Sequence, residues 1–178
     1  MKKKSFRLSE VYRLLEPGPV VMVTTAGPER TNIMTMSWHM MMEFEPPLIG
    51  CVVSGRNHSF AALRRTRECV VAIPTVELAA KVVRCGNVSG RRVDKFATIG
   101  LTAVAASQVQ APLVAECYVN LECRVADARM VTRYNMFVLE VLKAWIDRAV
   151  KRPRTIHHQG RGVFMVAGRT LRLPSRMK

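Results

Sequence analysis

The chain has 178 residues, 49% of them hydrophobic, and its 28 Lys and Arg outnumber 13 Asp and Glu to give a net charge of +15. That length fits one domain with a sizeable core, and so apolar a composition excludes a disordered polymer. The basic excess is compatible with nucleic acid, an acidic partner or an anionic cofactor, but it is dispersed, with dense runs only at Lys2–Lys4 and Lys151–Arg154.

After the amphipathic opening FRLSEVYRLLEPGP, the cluster Pro17-Gly18-Pro19 breaks the chain, and Val20–Thr25 reads as a buried strand followed by a turn at AGPER. The methionine-rich NIMTMSWHMMMEF is expected as strand and loop, stopped by Pro46-Pro47, and Leu48–Ser54 as another buried strand. HSFAALRRTRE places Phe60 and Leu63 on one helical face with arginines opposite, so a short surface helix is predicted. CVVAI is a strand ended by Pro74, VELAAKVVR a second short helix, and RVDKFATIG a third, capped by Asp94 and stopped at Gly100.

CYVNLECRV alternates, with Cys117, Val119, Leu121, Cys123 and Val125 on one face, while MFVLEVLKAWI is apolar on both faces and suits a strand closed into a barrel. Gly162–Gly168 is the last predicted strand. Without a regular βαβ alternation a Rossmann domain is not expected. The pattern predicts a mainly-β, antiparallel barrel with two or three short helices outside it.

The five cysteines are odd in number and form no C-x-x-C, which reads as core thiols in a reducing, cytoplasmic setting. Cys117 and Cys123, roughly 20 Å apart along a strand, are too distant to share a disulfide or a metal. No stretch approaches the ~20 apolar residues of a membrane span, and the start lacks a signal peptide's apolar segment.

No G-x-S-x-G, Walker loop or G-x-G-x-x-G occurs. His157 and His158, adjacent on an extended chain, point oppositely and make a poor chelate, so they read as a hydrogen-bonded turn before the glycines of QGRG. With 6% aromatics, and Trp38 and Trp145 in apolar strands, nucleic acid is not the expected partner. Two turns stand out instead, Ser54-Gly55-Arg56 and Ser89-Gly90-Arg91. Each joins a hydroxyl, a bared backbone N–H and a guanidinium, a set suited to an anion.

The segments LLEPGPVVMVTT, NIMTMSWHMMMEFEPPLIGCVVS, NHSF, CVVAIPT, CGNVSGRRVDKF, GLT, APLVAECYVNLECRV and IHHQGRGVFMVAG follow one another in this order and spacing. Through them the chain resembles the flavin reductase-like, FMN-binding split-barrel family that includes flavoredoxins, over about Leu14–Gly168. The resemblance implies one domain over residues 1–178, folded as a Greek-key antiparallel split β-barrel with short flanking helices. It further implies non-covalently bound FMN, and a homodimer with the flavin near the subunit interface. NADH or NADPH would be the electron donor, with free flavin, ferric iron or a protein as acceptor.

In that family the first turn holds the FMN phosphate, which implicates Ser54, Arg56, Asn57, His58 and the hydroxyl of Ser59. Asn32 and the segment Met34, Thr35, Met36, Ser37 and Trp38 would run along the flavin ring, with Trp38 closing one side. The second turn would reach the same flavin through Ser89, Gly90 and Lys95. Phe164 would border the cofactor, and His157 and His158 would lie on the substrate side. Two other readings stay open: an FMN-carrying electron-transfer protein without reductase activity, and a basic binding module without flavin.

Overall fold

The computed structural model describes residues 3–11, 18–27 and 30–174. Residues 12–17 of the amphipathic opening and two residues of the AGPER turn lie outside them. Strands β1 (Lys4–Phe6), β2 (Val21–Thr25), β3 (Asn32–Met36), β4 (His39–Phe44), β5 (Pro47–Val52), β6 (Glu68–Ile73), β9 (Val119–Asp127) and β10 (Met136–Ile146) form one antiparallel sheet. Its order is β3-β2-β6-β9-β10-β5-β4. β10 is its spine: β9 runs along one edge, while β5 pairs with the first half of the other edge and β1 with the last three residues.

The sheet curls into a split barrel around an inner cluster that includes Val21, Val23, Ile49, Leu121, Phe137 and Leu139. Helix α1 (His58–Thr66) sends Leu63 into this cluster and sets Phe60 edge-on against Phe137, with ring centroids 5.6 Å apart. Outside the barrel, α2 (Ala79–Asn87) and α3 (Lys95–Ile99) cover the other face of β2 and β3. There Met22, Ile33, Val82, Cys85, Phe96 and Ile99 make a second core. β2 is therefore buried on both faces, and its uninterrupted apolar run follows from that.

Several local expectations hold in detail. Asp94 caps α3 by accepting from the Ala97 N–H at 3.2 Å, and Gly100 ends it in the left-handed conformation at φ 71°. The second predicted helix begins as a 3-10 turn at Val76–Leu78 and continues to Asn87. All five cysteines are free and buried.

One expectation is extended and one needs correction. Cys117, Val119, Leu121, Cys123 and Val125 are buried, and on the opposite face of β9 Asn120 and Glu122 are buried too. The loop between the short strands β7 (Ala103–Val104) and β8 (Leu113–Val114) folds over them: Glu122 accepts from the Ser107 and Gln108 N–H groups and from Trp145 Nε1. Asn120 meanwhile exchanges two hydrogen bonds with the backbone of Val114. His157 and His158, by contrast, are not a turn. They belong to β11 (Ile156–Gly160), which pairs with β12 (Val163–Val166) in a hairpin. Among the described residues no helix is long and apolar enough to cross a membrane.

Candidate functional site

Four segments distant in sequence meet at the outer edge of β3: β3 itself, the turn into α1, the end of α2 with the turn after it, and the start of α3. They enclose a groove of about 300 Å³. The first turn is held by hydrogen bonds from Asn57 N–H to Ser54 O (2.9 Å) and from Arg56 N–H to Ser54 Oγ (3.3 Å). The Ser54 hydroxyl is thus used within the turn, and Ser54 does not line the groove, whereas Arg56, Asn57, His58 and Ser59 do. In the first turn of α1 the N–H groups of His58 and Ser59 have no intrahelical acceptor. Ser59 is only 1% exposed, and its Oγ accepts from Asn32 Nδ2 at 2.8 Å and from Thr25 Oγ1 at 3.4 Å. Its own proton remains free to donate.

The second turn is built alike, with Arg92 N–H on Ser89 O at 3.0 Å and Arg91 N–H on Ser89 Oγ at 3.3 Å. Arg30 ties it to β3 through a 2.9 Å bond to Gly90 O. Gly90 lies so close to Asn32 that a Cβ there would fall 2.0 Å from Asn32 Oδ1. Here glycine is required by space. The two turns do face one groove.

Lys95 is no solvated helix lysine. It is 6% exposed, lines the groove, and gives one hydrogen bond, 2.8 Å, to Cys85 O. Burial pushes its ammonium down from the ordinary lysine range, with Cys85 opposing. His58 is also pushed down, by desolvation and then by the charges of Arg91, Arg30 and Lys95. Cations, hydroxyls and free amides thus converge, and among the described residues no carboxylate lines the groove. This donor set fits a phosphate dianion.

A second cavity of about 290 Å³ adjoins the first, and Thr35, Gly86 and Asn87 line both. Its walls are apolar at Val20, Met36, Val82, Val83 and Phe164 and polar at Ser37 and His158. The β11–β12 hairpin forms one side, with the His158 and Phe164 rings 5.1 Å apart and inclined at 43°. His157 does not line it, and its Nε2 lies 3.1 Å from Thr155 Oγ1.

Trp38 is 72% exposed and lines neither cavity, so within one chain it closes no side of the site. The cause lies in its neighbour: His39 turns inward to bond Pro19 O at 2.7 Å, which sends Trp38 outward. Sequence reasoning missed Arg30, and also Cys85, Gly86, Asn87 and Val88 as groove residues. The visible signal was the CGN triplet just before the second turn. A Cβ at Gly86 would stand 3.0 Å from Thr35 Oγ1.

Comparison with known proteins places this geometry in context. Residues 13–164 match the profile of the flavin reductase like domain. The chain is 32% identical over 176 residues to an uncharacterized protein, YddH, of Escherichia coli K12, covering 91% of this chain and 93% of that one. Its fold is similar to an FMN-binding domain of a flavin reductases-like enzyme from Shewanella baltica OS155, with TM-score 0.91, 24% identity, and coverage of 97% and 98%. It is similar also to the flavoredoxin of Desulfovibrio vulgaris (Miyazaki F), with TM-score 0.80, 22% identity, and coverage of 88% and 90%.

Proposed function

Since the chain belongs to the flavin reductase-like domain family, we propose that it binds FMN without a covalent link and works as an NADH- or NADPH-dependent oxidoreductase. Electrons would pass onward to free flavin, ferric iron or a protein acceptor. The observation that carries this reading is the groove in which Ser59, Arg56, Lys95 and the first-turn amides of α1 converge, with no carboxylate among the described lining residues. Ser59 and Lys95 would hold the phosphate by charge-assisted and hydroxyl hydrogen bonds. β3, from Asn32 to Met36, would run along the ring. FMN supplies the two-electron chemistry when bound, so the protein needs no acid–base triad of its own. The second cavity, with apolar walls at Val20, Met36, Val82, Val83 and Phe164, would lie beside the ring and would admit donor and then acceptor in turn. The names of the Shewanella and Desulfovibrio proteins support the choice of FMN.

The assembly proposed is a homodimer. On the outer face of the sheet Met40 and Met42 are about half exposed, and they meet Met136 over Gly50. Such a pliant, exposed apolar patch suits burial against a second copy. The free thiols suit a reducing compartment such as the cytoplasm.

Titration of the purified protein with FMN, followed by flavin fluorescence, tests the cofactor. Oxidation of NADH and NADPH with excess free FMN then tests the reaction. Saturable binding with turnover is the expected result. Binding without turnover would favour the electron-carrier reading, and absence of binding would leave only a basic module without flavin.

A further inference from the structure

The β11–β12 hairpin carries a feature that its own stability does not explain. Gly160 pairs with Val163, so Arg161 and Gly162 form a two-residue turn. Their φ angles, +50° and +76°, are both left-handed, the pattern of a type I′ turn. Asparagine, aspartate or glycine suits the first of these positions, whereas a long side chain there is held against its backbone preference. Arg161 nevertheless occupies it. No hydrogen bond or ion pair ties its exposed side chain to another described residue.

What the turn does accomplish is placement. Gly162, the next residue, lines the second cavity together with His158 and Phe164. Arg161 does not line the slot itself, but its backbone adjoins that of Gly162 at the rim; the described lining joins apolar walls to polar Thr35, Ser37, Asn87 and His158 and includes no carboxylate. Nor does Arg161 line the phosphate groove, where Arg56 and Lys95 already supply cations. A guanidinium at such a rim is a fork for an oxyanion, bidentate and always charged.

We propose that Arg161 is the anion-recognition residue of the second cavity, whose ligand is a flat ring compound bearing a phosphate or a carboxylate. The inference rests on FMN occupying the neighbouring groove. Ring and oxyanion then divide the ligand: the ring slides between the apolar wall and Phe164, and the charged group stays at the rim under Arg161. The same chemistry fits the phosphate of a nicotinamide nucleotide donor and the carboxylate of an aromatic acid acceptor.

The test uses FMN-loaded wild type, Arg161→Asn and Arg161→Lys, with paired probes measured by calorimetry: nicotinamide mononucleotide against nicotinamide riboside, and benzoate against benzyl alcohol. Asparagine is at home in a left-handed turn, so Arg161→Asn should melt no lower than wild type and bind FMN equally well. It should weaken the anionic member of at least one pair about tenfold, the neutral member less than twofold. Arg161→Lys should recover part of the loss. The pair that responds identifies the source of the anion. If both anionic probes bind Arg161→Asn as they bind wild type, or bind wild type no better than their neutral partners, the proposal is overturned. A lower melting temperature for Arg161→Asn, with the anion preference intact, would make the arginine a hairpin residue and overturn it equally. Failure of wild type to take up FMN would instead strike the reading on which the inference rests, and the inference would fall with it.

Discussion

Replacing Lys95 with methionine removes one buried charge while keeping most of its stem. In the free protein that charge is poorly placed, since burial lowers the ammonium's pKa and its hydrogen bond goes to a neutral carbonyl, Cys85 O, at 2.8 Å. The loss of that bond and the relief of burying a cation act in opposite directions. The variant should therefore melt within a few degrees of wild type. FMN affinity should respond far more. A charge-assisted hydrogen bond to phosphate contributes about 1.5–3 kcal/mol, which corresponds to roughly 10- to 150-fold in dissociation constant. A pH series adds a second signature. A bound dianion favours the protonated amine, so FMN binding raises a pKa that burial had lowered, and binding takes up a proton where free Lys95 has begun to lose one. Wild-type affinity should thus fall as pH rises through the alkaline range, and Lys95→Met should flatten that limb. Fluorescence titration across pH, with calorimetry in two buffers to count protons, measures both effects. Equal affinity and equal alkaline dependence for the two proteins would refute the reasoning and leave Lys95 a structural lysine.

Arg56→Ala combined with Ser59→Ala should weaken FMN at least tenfold and leave riboflavin, which lacks the phosphate, nearly unaffected in parallel titrations. Met40→Lys with Met42→Lys should convert a dimer into a monomer in light scattering at micromolar concentration, while circular dichroism stays unchanged. For Glu122, burial pushes the carboxyl up, but hydrogen bonds from Trp145, Gln108 and Ser107 together outweigh it and hold the pKa below the ordinary range. A depressed carboxylate contributes stability above its unfolded pKa and loses it as pH falls through the lower folded value. Glu122→Gln should accordingly be less stable than wild type near neutrality, with the difference shrinking below about pH 4, in thermal melts recorded across pH.

The strands were legible wherever one physical rule governed them. Val20–Thr25 read as buried because β2 within it is buried on both faces, and Asp94 read as a cap because its spacing to Ala97 is local. The burial of Glu122 was not legible because what covers it is a loop some fifteen residues earlier, and no pattern within β9 reports that. In the site, the two serine-glycine-arginine turns were visible as anion-suited chemistry, and their convergence on one groove came from the ordered resemblance. Cys85 and Gly86 were missed because nothing in a helix's own sequence says which end will border a cavity. Trp38 was placed beside the flavin by the resemblance, whereas in this chain its neighbour His39 turns inward to bond Pro19 O and Trp38 faces out.

Thr35, Gly86 and Asn87 stand between the two cavities with one surface toward each. A partition shared in this way makes the cavities thermodynamic neighbours. Should a ligand in one shift that wall and change the affinity of the other by some factor, the second must change the first by the same factor. Gly86, whose missing Cβ would stand 3.0 Å from Thr35 Oγ1, is the place to alter the coupling without touching either ligand's charged contacts. An alanine there would thicken the wall from its middle, and its effect would be read in the cross-dependence of two affinities, a quantity that neither titration alone contains.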